Sequence, residues 1–341
     1  MSIKVGLIGA GAITRPHVDA FVRNPHVVKD VTVADPSQQA REALQQEFGI
    51  IRKTCAEYRE LLDDPQINLI DICTPHYLHA PQAIEAMQAG KDVILEKPMA
   101  LSVEQCEEMV RVSEDTGRRL FCALCQRTLP AHVKAMEMVQ QGAIGKVFLG
   151  TITVIGNEFS RMNDPQSWKG DWEQAGGGAL FDTGYHAVYT LQHFFGPAKA
   201  VTAMTRRLIV EPENKADDTS VVALEMEGNV VCSIVVTYSA TGDRWSEERR
   251  LVGTEGSLLV RDDPEDEMPL LLLRGADFQP VKVHNPPRVQ HYAIRETVSG
   301  FIDNIVDGTA SHITLEEAKA AVATVMACYQ SEREGRRVEV G

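Results

Sequence analysis

The stretch VGLIGAGAIT, Val5 to Thr14, decides how the first third of the chain is read. The apolar run Ile3 to Ile8 reads as a buried strand, and Gly9-Ala10-Gly11 follows it directly. The first glycine permits a tight turn. The second lets a pyrophosphate approach the backbone at the positive end of a following helix. Gly9, Gly11, Ala12 and Ile13 are therefore candidate cofactor contacts. Thr14 stands at the third glycine position of the dinucleotide fingerprint, and Pro16 follows, so an altered start to the helix and a looser motif are expected. The second strand ends in Asp35, at the distance where a carboxylate accepts hydrogen bonds from ribose hydroxyls and repels a 2′-phosphate. No arginine immediately follows it, so NAD is expected in preference to NADP.

Working outward, strand and helix signals alternate up to about residue 125. Strands are expected at Val31 to Ala34, Ile67 to Cys73, Val93 to Leu95 and Leu120 to Leu124. Helices are expected at Pro36 to Phe48, Leu78 to Ala89 and Val103 to Thr116, the last between Ser102 as cap and Gly117 as stop. Such units build a doubly wound parallel sheet, here a Rossmann domain over 1–125. After Pro130 the runs KVFLGTITVIG, AKAVTAMTRRLIV, DTSVVALEMEGNVVCSIVVTYS, ERRLVGTEGSLLVRD and MPLLLLR predict a large open, mostly antiparallel sheet. A hairpin is expected at Gly228-Asn229. Helices near Tyr292–Val306 and Leu315–Glu332 close the chain. An α+β domain over 126–341 follows, its last helices able to pack back on the first domain.

DVILEKPMA, Asp92 to Ala100, ends a buried strand in Glu96-Lys97-Pro98. Charges at a strand end cost stability unless paired or used, and proline cannot continue a central strand. The stretch GGGALFDTGYHAVYTLQHFFG, Gly176 to Gly196, carries Asp182, His186, Tyr189 and His193 on one helical stripe. Between Gln174 and Ala198, 25 residues, Asp182 is the only Asp, Glu, Lys or Arg, where the chain average of 24% predicts about six. A solvent-facing helix would carry more, so this one is expected to be buried, with a carboxylate and a histidine at i and i+4 able to meet.

These blocks resemble the glucose–fructose oxidoreductase / inositol dehydrogenase / MocA oxidoreductases. GLIGAGAITRPHV is similar to that family's opening, TPHYLHAPQAIEAMQAGKDVILEKPMA to its most specific block, the Gly176 stretch to its helix block and GTEGSL to a late strand turn. The resemblance implies a Rossmann domain and an open sheet that often serves as an oligomer interface, hence a homodimer or homotetramer. It implies that Glu96-Lys97-Pro98 lies beside the nicotinamide, often with a cis proline bond. Lys97 would hydrogen-bond the reacting hydroxyl, and Asp182 and His186 would be the substrate-side carboxylate and acid/base. Thr74, Pro75 and His76 would form a cofactor-side loop, His76 departing from the usual asparagine. Arg127 matches an arginine after the last Rossmann strand, and Trp168 with Lys169 a pair bordering the substrate. Arg161 and Lys169 either hold an anionic group of the substrate or are surface charges.

The implied activity is NAD-dependent oxidation of a secondary hydroxyl on a sugar, cyclitol or glycoside. Two alternatives share the fold: a glycosidase using transient NAD redox and elimination, and a regulatory protein that binds NAD without turnover. A net charge of −14 argues against nucleic acid or an anionic membrane as partner. No apolar run reaches bilayer length, and MSIKVGLIGAGAI has no basic n-region or cleavage site, so a cytoplasmic protein is expected. The seven cysteines suit reduced thiols. Cys122 and Cys125 are expected inside an apolar strand, and no metal site is expected.

Overall fold

The computed structural model describes residues 2–211, 213, 215–261, 268–284, 286 and 288–341. In chain order the first elements are β1 (Ile3–Ile8), α1 (Thr14–Arg23), β2 (Val28–Ala34), α2 (Gln38–Glu47), β3 (Ile51–Cys55), α3 (Arg59–Asp63), β4 (Leu69–Ile72), α4 (His79–Gln88), β5 (Asp92–Leu95), α5 (Val103–Thr116) and β6 (Leu120–Cys122). There follow α6 (Pro130–Gln140), β7 (Val147–Ile155), α7 (Phe159–Met162), α8 (Trp172–Ala175), α9 (Tyr185–Phe195), β8 (Ala198–Arg206), β9 (Thr219–Met226), β10 (Val231–Thr237), β11 (Ser246–Gly253), β12 (Gly256–Arg261), β13 (Leu270–Arg274) and β14 (Asp277–Pro280). The chain ends in α10 (Val289–Asp307), α11 (Leu315–Glu334) and β15 (Val338–Glu339). Two compact units result. One is Met1–Cys125 with His291–Lys319, the other Gln126–Gln290 with Ala320–Gly341.

The first unit is a Rossmann fold. Six parallel strands run in the order β3-β2-β1-β4-β5-β6. The central strands β4 and β5 are buried along their whole length, as a sheet covered on both faces requires. Thr14 does not loosen the glycine turn. Its hydroxyl donates to the Gly11 carbonyl at 2.6 Å and its side chain is buried. Pro16 falls in the first turn of α1, where no intrahelical N–H is lost. The segment α10 joins this unit through specific contacts. Phe301 stacks on Phe121 at 5.0 Å, and Arg119 donates to the Asn304 and Ile305 carbonyls at the helix end, at 3.2 and 3.0 Å.

The second unit is built on a nine-stranded sheet, β14-β13-β12-β11-β7-β10-β9-β8-β15, antiparallel except between β7 and β10. The hairpin β9–β10 turns at Gly228 and Asn229, both at positive φ. Ala131, Ala135 and Met138 of α6 pack with Ile144 and with Leu251, Leu258, Val260 and Leu270 of the sheet. The run expected to end at Val210 stops at Arg206. The run expected through Asp262 is described as far as Arg261.

Cys122 ends β6, and Cys125 opens a short turn, Cys125–Thr128, so the pair does not share a strand as expected. The strand stops there because the amides turn onto local carbonyls, Leu124 onto Cys122 at 3.0 Å. None of the seven cysteines forms a disulfide, and six are buried. No helix among the described residues is long and apolar enough to cross a membrane.

Candidate active site

In the first unit the loops after β1, β4 and β5 gather where the strand order reverses, between β1 and β4. Gly9 sits at φ +100°, and a Cβ there would fall 2.5 Å from the Cys73 carbonyl oxygen, so the position accepts only glycine. A Cβ on Gly11 would meet no protein atom within 4 Å. Gly11, Ala12 and Ile13 are exposed, and the start of α1 has no side-chain cap and no acidic residue. Open space in front of an uncapped helix end fits a pyrophosphate. Asp35 is locked against this turn. Its Oδ2 accepts the Ala10 amide and its Oδ1 the Ser37 amide, each at 2.8 Å. Arg41, six residues on, donates to the Asp35 and Pro36 carbonyls at 2.5 and 3.3 Å, which commits its guanidinium to backbone.

The loop after β4 enters through Pro75 in extended conformation, and the Thr74 hydroxyl donates to Gln82 Oε1 at 2.8 Å. His76 is buried, its ring 5.7 Å from that of His79. The His79 ring nitrogens lie 2.7 Å from the Pro98 carbonyl and 3.0 Å from the Thr74 carbonyl, which ties the β4 loop to the β5 loop. Burial pushes the His79 pKa down, the two carbonyls opposing it. The Lys97–Pro98 bond is cis. Glu96 is buried and Lys97 half-buried. Every expected cofactor residue lies on these loops except Asp35, which follows β2, and Arg127, which belongs to the second unit in the Cys125–Thr128 turn.

In the second unit Asp217 explains one glycine of the run, Gly178, while Gly177 faces Tyr329. A Cβ on Gly178 would fall 1.8 Å from the Asp217 carbonyl oxygen. The Asp217 carboxylate accepts the Gly178 amide at 2.8 Å, the Leu180 amide at 3.0 Å, the Tyr329 hydroxyl at 2.7 Å and the Ser220 hydroxyl at 2.9 Å. Burial pushes its pKa up and these donors pull against that. They anchor a π-helical turn, Leu180–Gly184, that runs into α9.

Asp182 sits in that turn and His186 in the first turn of α9. The helix is buried as expected. Asp182 Oδ2 accepts the Tyr238 hydroxyl at 2.9 Å and pairs with the Lys169 ammonium. That ammonium lies 5.6 Å from the Trp168 ring centre and 5.8 Å from that of Tyr238. Burial, and then Asp182, push the Tyr238 pKa well up, so the phenol is a donor at neutral pH. His186 Nδ1 lies 2.7 Å from Tyr189 Oη, which also accepts the Gln126 amide at 3.0 Å. The structure thus joins Trp168, Lys169 and Asp182. Arg161 pairs instead with Glu158 at 3.3 Å and is mostly exposed. Tyr238, Gln126 and Asp217 were missed by sequence reasoning. Tyr189 was visible only as part of the polar stripe.

A parallel sheet whose glycine turn, uncapped helix and Asp35 converge defines a dinucleotide-binding Rossmann protein. The profile of the oxidoreductase family with NAD-binding Rossmann fold, Gfo/Idh/MocA, matches residues 3–124, and that of the Gfo/Idh/MocA C-terminal domain matches residues 132–259. The chain belongs to the Gfo/Idh/MocA oxidoreductases, and it is an NAD(H)-dependent oxidoreductase acting on CH–OH groups. Levoglucosan dehydrogenase of Pseudarthrobacter phenanthrenivorans is 29% identical over 297 residues, covering 78% of this chain and 75% of that one. Trans-1,2-dihydrobenzene-1,2-diol dehydrogenase of Mus musculus is 32% identical over 245 residues, 70% of each chain. A solved levoglucosan dehydrogenase in complex with NADH and levoglucosan superposes with a TM-score of 0.89 at 25% identity, over 100% of both chains.

Proposed function

We propose that the enzyme oxidises a secondary hydroxyl of a sugar, cyclitol or glycoside, with NAD preferred over NADP. The observation that carries this reading is Asp182, paired with Lys169 and Tyr238, one helical turn before a histidine held at Nδ1 by Tyr189. Such a carboxylate can bind and orient a polyol while the imidazole handles a proton. The relatives named for levoglucosan and dihydrodiol substrates support a hydroxyl-bearing ring.

Bound NAD supplies the hydride acceptor. In our reading Gly9, Gly11, Ala12, Ile13, Asp35, Thr74, Pro75, His76, Glu96, Lys97 and Arg127 hold it. His186 takes the hydroxyl proton on Nε2. Lys97 stabilises the developing alkoxide. Asp182 orients the substrate, with Trp168, Lys169 and Arg161 contributing to its binding.

The test is a panel of hexoses, inositols, uronic acids and glycosides with NAD, monitored for NADH. His186→Ala should lower kcat by about 10²–10⁴-fold with NAD binding intact. Lys97→Ala should lose at least as much, and Asp182→Ala should also raise KM. Net glycoside hydrolysis without NADH would indicate transient oxidation instead. A folded, NAD-binding protein with no turnover of any kind would defeat the reading. Asp35→Ala should narrow the preference for NAD, and equal efficiency of the wild type with both cofactors would contradict the cofactor choice.

A further inference from the structure

His17 lies on α1, one turn past the glycine loop, and is 0% exposed. Its Nδ1 is 2.9 and 3.1 Å from the two carboxylate oxygens of Asp71 on β4. Its Nε2 is 3.1 Å from Glu96 Oε1, just past β5. The other Glu96 oxygen accepts the amide of Lys97 at 3.0 Å. Asp71 and Glu96 are themselves buried. A ring with a carboxylate at each nitrogen is satisfied only when both nitrogens carry hydrogen, so the geometry selects the imidazolium. Burial alone would empty the ring of its charge, but Asp71 holds the His17 pKa well above its ordinary value. Burial likewise opposes the Glu96 carboxylate, and His17 with Lys97 hold its pKa below the usual range.

His17, Asp71 and Cys73 are near enough together to hold a metal ion. Ligation is nevertheless disfavoured. Both ring nitrogens are already engaged by carboxylates, and burial pushes the Cys73 thiol up to about 12. What remains is a line of charges of alternating sign, Asp71, His17, Glu96 and Lys97, drawn from one helix and the ends of two strands. Leaving such charges inside a protein is costly unless each is paired, so a merely structural site would be as well served by apolar side chains.

We propose that His17 is a positioning residue for the oxidation. Clamped by Asp71, it fixes Glu96, and Glu96 through the Lys97 amide fixes the turn that presents the Lys97 ammonium. The proposal rests on the reading of Lys97 as the group that meets the reacting hydroxyl.

The experiment is a double-mutant cycle on the full-length enzyme with the best substrate of the panel, using His17→Gln, Lys97→Ala and the double variant. His17→Gln should lower kcat by roughly 10- to 100-fold, the scale of a displaced catalytic group, in protein that is folded and binds NAD at the assay temperature. Its melting transition should fall, because Asp71 and Glu96 lose their paired cation. In the Lys97→Ala background it should cost nothing further, because a residue acting only through Lys97 has nothing left to position. Equal loss in both backgrounds, or wild-type kcat in folded His17→Gln, would overturn the proposal. Near wild-type turnover of Lys97→Ala would instead sink the reading of Lys97, a separable result. If His17→Gln fails to fold, Glu96→Gln, which keeps size and removes the charge, carries the same cycle read as kcat at saturating NAD, because Glu96 is also among the cofactor residues. Failure of both to fold makes the cluster structural and overturns the proposal.

Discussion

Tyr189 carries one hydroxyl with two lone pairs, and two partners approach it. The Gln126 amide takes one, at 3.0 Å, and His186 Nδ1 lies at 2.7 Å from the same oxygen. If His186 receives the substrate proton on Nε2, Nδ1 carries hydrogen and donates to that oxygen. Tyr189→Phe keeps the ring, which packs against Tyr185 and His186, and removes only the acceptor. We predict a fall in kcat of roughly 10- to 100-fold, the cost of losing an orienting partner. The acid limb of the pH–rate profile should move to lower pH, because the protonated ring has lost a stabilising acceptor. A folded variant with unchanged kcat and profile would refute this. Asp182 and His186 were legible from the absence of other charges around them. Tyr238 was not, standing 56 residues from the Asp182 it donates to. Such partners meet only once the sheet has formed, and no local pattern announces them.

Among the elements, the end of β8 shows how one buried carboxylate shapes a strand. Asp218 Oδ2 accepts the amides of Leu208, Ile209 and Val210 at 3.0, 2.7 and 2.9 Å, and its other oxygen the Thr219 hydroxyl at 2.8 Å. The chain after Arg206 therefore turns away although its residues are apolar. Burial opposes the carboxylate, but these donors hold its pKa below the ordinary value. A depressed carboxylate pKa contributes stability that is present above about pH 3.9 and is lost as pH falls through the folded value. Asp218→Asn should therefore cost about 1–3 kcal/mol near neutrality. The gap between wild-type and variant melting curves should narrow only as pH falls below about 3.9 and through the still lower folded value, and a gap that keeps its full width in strong acid would contradict the assignment. Element legibility followed signal strength. Helix α5 was read to the residue, because Ser102 accepts the Gln105 amide and Gly117 takes φ +63°. Strand β3 was missed because Ile51 is the only buried residue in IRKTC. Strand β15 is two residues long, too short for any period to show.

On the scale of the molecule, strands β8, β9 and β10 of the nine-stranded sheet have one covered face and one that is wet. Along β9, Val222, Leu224 and Met226 are buried while Val221 is 41% exposed. On neighbouring strands Met204 is 57% and Val231 56% exposed, and Met204, Val221 and Val235 line up across three strands. An apolar row of this kind is usually covered by a partner. We predict a homodimer or homotetramer formed through this face, with Val221→Lys and Val231→Lys together yielding folded monomer. Sedimentation that finds only a 37.6 kDa species of the wild type at micromolar concentration would refute it. The placement of the cysteines bears on the handling of the enzyme. Only Cys55 is within reach of solvent, and burial lifts its thiol to about 11, with Cys106 and Cys232 lifted to about 12. Since the thiolate is the reactive form, air and alkylating reagents should touch the native enzyme slowly and at one position at most. Titration with a thiol reagent should count no more than one group before denaturation and seven after it. A dye coupled at Cys55 would then report on the Rossmann unit alone, with no background to engineer away.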